Sequence, residues 1–92
     1  MIKGIKHRGL RLLFEDGDRS KIRADLVVKA IRFLDALDTA TEPEDLDLPG
    51  FRLHRLTGNL QGLWSATLSR NHRIVFRFEE GHVYDVDLVD YH

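Results

Sequence analysis

An α+β domain of order β-α-α-β-β-β-β is the fold class this sequence predicts, and three observations predict it. Apolar residues recur at helical spacing only in the first half of the chain, around Leu10–Phe14 and Leu26–Leu37. After Pro49-Gly50 the spacing changes to the period of two that marks a half-buried strand. The four strand-like runs that follow are separated by short polar turns, which join them as an antiparallel meander. Two helices ahead of such a meander would cover one of its faces and leave the other open.

Taken in order, Ile2-Lys3-Gly4-Ile5-Lys6-His7 alternates and predicts a short first strand. Leu10, Leu13 and Phe14 fall at i, i+3, i+4, a short helix over 9–15 that Asp16-Gly17-Asp18 stops. Leu26, Val27, Ala30, Ile31, Leu34 and Leu37 form the widest apolar stripe, with Asp25 as its N-cap or first-turn acid. That pattern fades at Asp38-Thr39-Ala40-Thr41, and Pro43 opens a further acidic turn through Asp47. Strands are predicted at 51–56, 63–68, 73–78 and 83–88, with turns at 69–72 and 79–82. Trp64 and Tyr84 are assigned to the core.

At 92 residues the chain makes a single domain over 1–92. With no cysteine it has no disulfide framework, thiolate zinc site or cysteine nucleophile. No apolar run reaches the ~18 residues of a membrane span, and the start lacks a signal-peptide core, so a cytoplasmic protein is expected. The net charge of −1 conceals segregation along the chain. Residues 1–23 hold seven bases against three acids, and 24–47 hold two bases against seven acids. Residues 48–78 hold five arginines and no acid, and 79–92 hold five acids and no Lys or Arg. Such blocks either give the folded molecule faces of opposite sign or pair with one another as surface ion pairs.

There is no Gly-rich phosphate loop, no paired catalytic carboxylates and no helical His-x-x-x-His. The residues that can carry chemistry are His54, Arg73 and the terminal Asp90-Tyr91-His92. They match the needs of RNA cleavage by the ribose 2′-OH: a base, an acid and a fixed cation at the phosphate. Histidine serves either proton-transfer role because its ordinary pKa is ~6.5. Arginine supplies charge and a rigid donor fork without titrating. The nucleophile belongs to the substrate, so no cofactor is needed. Arg52, Arg55, Arg70 and Arg77 would place cations along the RNA, and Asn71 could present its amide to an adenine edge. The residues alone leave each a second reading. His54 could be a packed strand histidine, Arg73 and Arg77 a solvated face, Asn71 an ordinary turn residue, and His92 an exposed end. His54, Asp90 and His92 lack any local ligand spacing, so no metal site is predicted.

Over nearly its whole length the chain resembles the HigB-type toxins of the RelE superfamily. The resemblance rests on Ile2-Lys3 with Lys6-His7-Arg8-Gly9-Leu10, Leu13-Phe14-Glu15, Asp38-Thr39-Ala40-Thr41 and Phe51-Arg52-Leu53-His54. It continues through Trp64-Ser65, Asn71-His72-Arg73-Ile74 and Phe76-Arg77-Phe78 to the terminal Val89-Asp90-Tyr91-His92. It implies a RelE-like toxin of a type II toxin–antitoxin pair that enters the ribosomal A site and cuts messenger RNA there without metal. His54, Asp90, Tyr91 and His92 match positions that carry proton transfer and substrate placement. Arg73 matches the phosphate-stabilising arginine, and Asn71 a position near a codon base. The implied partners are the ribosome and its message, and a helix-turn-helix antitoxin whose complex with the toxin represses their operon. Thr57 stands where many members carry lysine; it can donate a hydrogen bond but supplies no charge, which predicts a mild toxin. The alternative is a non-catalytic module that pairs with its antitoxin or binds ribosomal RNA without cutting.

Overall fold

The computed structural model describes residues 1–60 and 62–90 and confirms the α+β class. The opening segment forms two isolated bridges parallel to the last strand, Ile2 with Val83 and Ile5 with Val86. Helix α1 (Arg8–Asp16) starts as that pairing ends, with the His7 ring accepting from the Leu10 N–H. Gly17 closes it at φ 69°, the left-handed conformation glycine adopts without steric cost.

A single 3₁₀ turn (Ala24–Leu26) leads into α2 (Val27–Thr39). Asp25 therefore precedes the helix within that turn and is ion-paired with Arg23; it does not cap α2. The acidic segment makes a 3₁₀ turn at Pro43–Leu46. It is closed by reciprocal bonds between the Glu42 and Asp45 side chains and backbone N–H groups.

The sheet is a four-stranded antiparallel meander, β1 (His54–Arg55), β2 (Leu63–Thr67), β3 (His72–Glu79) and β4 (His82–Asp90), in that spatial order. The first strand is far shorter than the alternation over 51–56 predicts. Phe51 is fully buried beneath α2, Arg52 takes a positive φ of 48°, and the chain joins the sheet only from His54. The β3–β4 hairpin turns on Glu80 and Gly81, both at positive φ, the geometry that matches strand twist. Asp85, also at positive φ, is the extra residue of a bulge in β4 opposite Val75–Arg77.

The core lies between α2 and one sheet face. Phe33 of α2 meets Phe51 at 5.1 Å and Phe76 at 5.8 Å between ring centroids. Leu10, Ala30, Leu37, Ile74, Val83 and Val86 complete it, all fully buried. Trp64 and Tyr84 are only partly buried, contrary to their assignment to the core. Trp64 packs on the core margin under the Arg55 guanidinium, and Tyr84 sits opposite Arg77 on the face away from α2. No helix among the described residues is long and apolar enough to cross a membrane.

Candidate active site on the sheet face away from the helices

Strand register decides which side chains share a face, because side chains alternate and directly paired residues point the same way. His54 pairs with Ser65, Ser65 with Val75, and Val75 with Asp87. One row further along, Thr67 pairs with Arg73 and Arg73 with Val89. Phe76 and Ile74, between these positions, face α2. His54 and Arg73 therefore occupy the same face, the one turned away from the helices. With strands ~4.8 Å apart and ~3.4 Å per residue, their Cα atoms are on the order of 12 Å apart, a gap two long side chains can span around one phosphodiester.

His54 is exposed, and its Nδ1 lies 3.1 Å from the carbonyl oxygen of Arg52. A carbonyl can only accept, so Nδ1 carries the proton and the neutral ring keeps its lone pair on Nε2. A residue with φ 48° aims that carbonyl, an uncommon backbone for arginine and one worth about 1–2 kcal/mol of strain. Arg73 is half-buried and folds back over the turn that precedes it. Its Nη1 donates to the Ser69 carbonyl at 3.0 Å and lies 3.4 Å from those of Arg70 and His72.

The remaining cations divide by environment. Arg52, Arg55 and Arg70 are exposed and make no ion pair among the described residues. Arg52 lies at the Thr67 end of the sheet, where Thr67 N–H bonds to the neighbouring Phe51 carbonyl, and Arg70 and Asn71 form the exposed turn at that same end. Arg77 is at the opposite end of the face, and its guanidinium is held by Asp85 at 2.6 Å and Glu79 at 3.6 Å. The acidic block at 79–92 thus neutralises one arginine of the 48–78 block across the hairpin and leaves the other end of the sheet basic. Arg55, Leu56, Thr57 and Gly58 line an open cleft of about 490 Å³ beside β1.

Asp90 pairs in register with His72, and its carboxylate lies 3.8 Å from the His72 ring. That register belongs to the Ile74 face, so Asp90 is one strand position off the face of His54 and Arg73. Tyr91 and His92 lie outside the described residues. Two features were missed from the sequence. His72, only 7% exposed and bonded to Ser69, reads as an ordinary hairpin-turn residue. The positive φ of Arg52 has no residue-type signal at all, since Gly and Asn are its usual markers.

A family model described as a RelE-like toxin of the type II toxin–antitoxin system HigB matches residues 3–92. The chain belongs to this HigB-like toxin family. Endoribonuclease HigB of Proteus vulgaris is 45% identical over 92 residues, covering 100% of both chains. Toxin HigB-1 of Vibrio cholerae is 32% identical over 78 residues, 83% of this chain and 82% of that one. The fold is shared with more distant solved toxins. YoeB in its complex with YefM from Staphylococcus aureus superposes with a TM-score of 0.62 at 19% identity, over 100% of this chain and 95% of that one. YafQ from E. coli gives 0.58 at 11% identity, over 98% and 91%. The HigB-like chain has the α+β architecture of these solved structures.

Proposed function

We propose that this HigB-like toxin is an endoribonuclease that cuts messenger RNA in the ribosomal A site by attack of the ribose 2′-OH on the adjacent phosphate. The observation that carries the reading is the placement of His54 and Arg73 on one sheet face, with His54 Nδ1 bonded to the Arg52 carbonyl so that a neutral ring has its lone pair on Nε2. Full-length likeness to a protein named as an endoribonuclease supports it.

In the proposed reaction His54 Nε2 takes the proton of the 2′-OH. The 2′-oxygen forms a bond to phosphorus, and Arg73 balances the charge that builds on the non-bridging oxygens. The bond to the 5′-oxygen breaks, and that oxygen receives a proton from an acid drawn from Tyr91 and His92. The products are a 2′,3′-cyclic phosphate and a 5′-hydroxyl. Asp90, in register with His72, serves to position its neighbours. Arg52, Arg70 and Asn71 gather at the end of the sheet nearest Arg73 and contact the message there, while Arg55, stacked on Trp64 on the opposite face from His54, lies outside this contact. Arg77, already paired with two acids, adds little attraction for phosphate.

Ribosome dependence follows from charge. Affinity for naked RNA scales with the phosphates neutralised, and a chain of net charge −1 with one basic sheet end neutralises few. The A site supplies a message already held in place. As a member of a toxin–antitoxin family the chain pairs with an antitoxin, and a helix-turn-helix partner would make the complex an operon repressor.

Programmed ribosomes mixed with the protein, with message ends mapped by primer extension, test the proposal. A-site cuts that vanish in His54→Ala and in Arg73→Ala are expected. Growth arrest or ribosome binding that survives both substitutions, without cuts, would instead favour a non-catalytic binding module.

A further inference from the structure

His72 is the one buried ionisable side chain among the described residues that the cleavage mechanism does not use. Its Nδ1 lies 2.9 Å from the Ser69 hydroxyl, and its Nε2 lies 3.8 Å from an Asp90 carboxylate oxygen. Either partner of the Nδ1–Ser69 bond can donate, according to the ring's tautomer. The second contact exceeds hydrogen-bond length and acts through space. The two partners belong to different elements. Ser69 starts the turn bearing Arg70 and Asn71, and its carbonyl receives Arg73 Nη1. Asp90 is the last residue of β4, immediately before Tyr91 and His92.

We propose that His72 is a positioning residue that ties the β2–β3 turn to the end of β4, so that one buried ring adds a side-chain brace between the message-contacting turn and the Asp90 end of the last strand. This rests on the nuclease reading for its consequence, but the tie itself is a structural claim. Leucine at this position would fill the same space and remove both polar contacts. Ser69 is half-exposed and Asp90 exposed, so removing the ring leaves neither of them buried without water, and leucine keeps the packing. Glutamine keeps a donor and an acceptor at nearly the same reach. Stability and activity should therefore separate in opposite directions.

The test compares wild type, His72→Leu and His72→Gln on programmed ribosomes, with melting and amide exchange measured on the same preparations. His72→Leu is expected to melt at or above the wild-type temperature yet lose roughly tenfold to a hundredfold in kcat. His72→Gln is expected to melt lower but to cut within about threefold of wild type. The amides of Ser69 and residue 72, which close the turn, should exchange about tenfold faster in His72→Leu than in His72→Gln. Cleavage by His72→Leu at the wild-type rate, or activity that simply follows melting temperature across the three proteins, would overturn the proposal. A wild type that cuts nothing would defeat the nuclease reading alone. Turn-amide exchange would then decide the tie, and equal rates in the two variants would refute it.

Discussion

The His54 ring is oriented by the Arg52 carbonyl, two residues earlier, at 3.1 Å from Nδ1. This bond gives an exposed strand-end histidine a defined tautomer when its ring is neutral. It also accounts for the short edge strand: the backbone leaves extended geometry at Arg52 and returns to the sheet at His54. His54→Ala removes an exposed side chain, so the melting temperature should hold while A-site cleavage falls by ~10²–10⁴. A drop in cleavage matched by a collapse of the melt would count against a chemical role.

Thr57 lines the cleft beside β1 and is exposed, so a longer side chain has room there. Thr57→Lys adds a cation next to the proposed phosphate path and should speed single-turnover cleavage by roughly tenfold to a hundredfold, the scale of one added electrostatic contact. An unchanged rate would show that the cleft does not adjoin the reacting phosphate.

Gly9 is in α1, where alanine would ordinarily gain about 1 kcal/mol of helix propensity. Here a Cβ would lie 2.8 Å from the Lys21 carbonyl oxygen and 3.0 Å from both the His7 and Ile22 side chains. Gly9→Ala should therefore destabilise the fold by about 1–3 kcal/mol, read as a lower urea midpoint. A raised midpoint would mean that the 17–23 loop yields readily.

Phe33 joins α2 to both Phe51 and Phe76 in the centre of the core. Phe33→Ala should cost about 3–5 kcal/mol, a large part of the stability of a domain this size, and leave the protein partly unfolded at 37 °C by circular dichroism.

Two carboxylates are held below their usual range. Asp45 accepts the Thr41 and Glu42 backbone N–H groups and the Thr41 hydroxyl. Asp18 accepts the hydroxyl and backbone N–H of Ser20, with Lys21 nearby. A depressed folded-state pKa stabilises the fold above the unfolded value of ~3.9, and that contribution is lost as pH falls through the folded one. Asp45→Ala should thus be less stable than wild type at pH 7, and the two urea midpoints should converge as pH drops below about 4. A gap that stays constant down to pH 3 would contradict the ionised-cap role.

Most of the fold was legible because its signals are local. The stripe Leu26 to Leu37 and the alternation in 73–78 each report burial on one face, and the chain obeys them; in 83–88 the bulge at Asp85 breaks the alternation, so that Val83 and Val86 are both buried. The edge strand was not, since Phe51 and Leu53 read as strand residues while Phe51 is claimed by the helix-facing core. Among the site residues, sharing of a face by His54 and Arg73 follows from register, which alternation alone does not fix between strands. The pairing of Arg77 with Asp85 depends on a bulge at Asp85, a residue type that tolerates positive φ but does not by itself locate a bulge. Charge blocks announced that ion pairs were available and could not say which arginine would be spent on them.

The most direct measurement is the chemistry of the cut ends. Message cleaved on programmed ribosomes should carry a 2′,3′-cyclic phosphate, or the 3′-phosphate it hydrolyses to, on the upstream fragment and a 5′-hydroxyl on the downstream one. Fragments ending in a 3′-hydroxyl and a 5′-phosphate would mean that water, not the ribose oxygen, attacks the phosphate. The site built around His54 Nε2 and Arg73 would then be wrong.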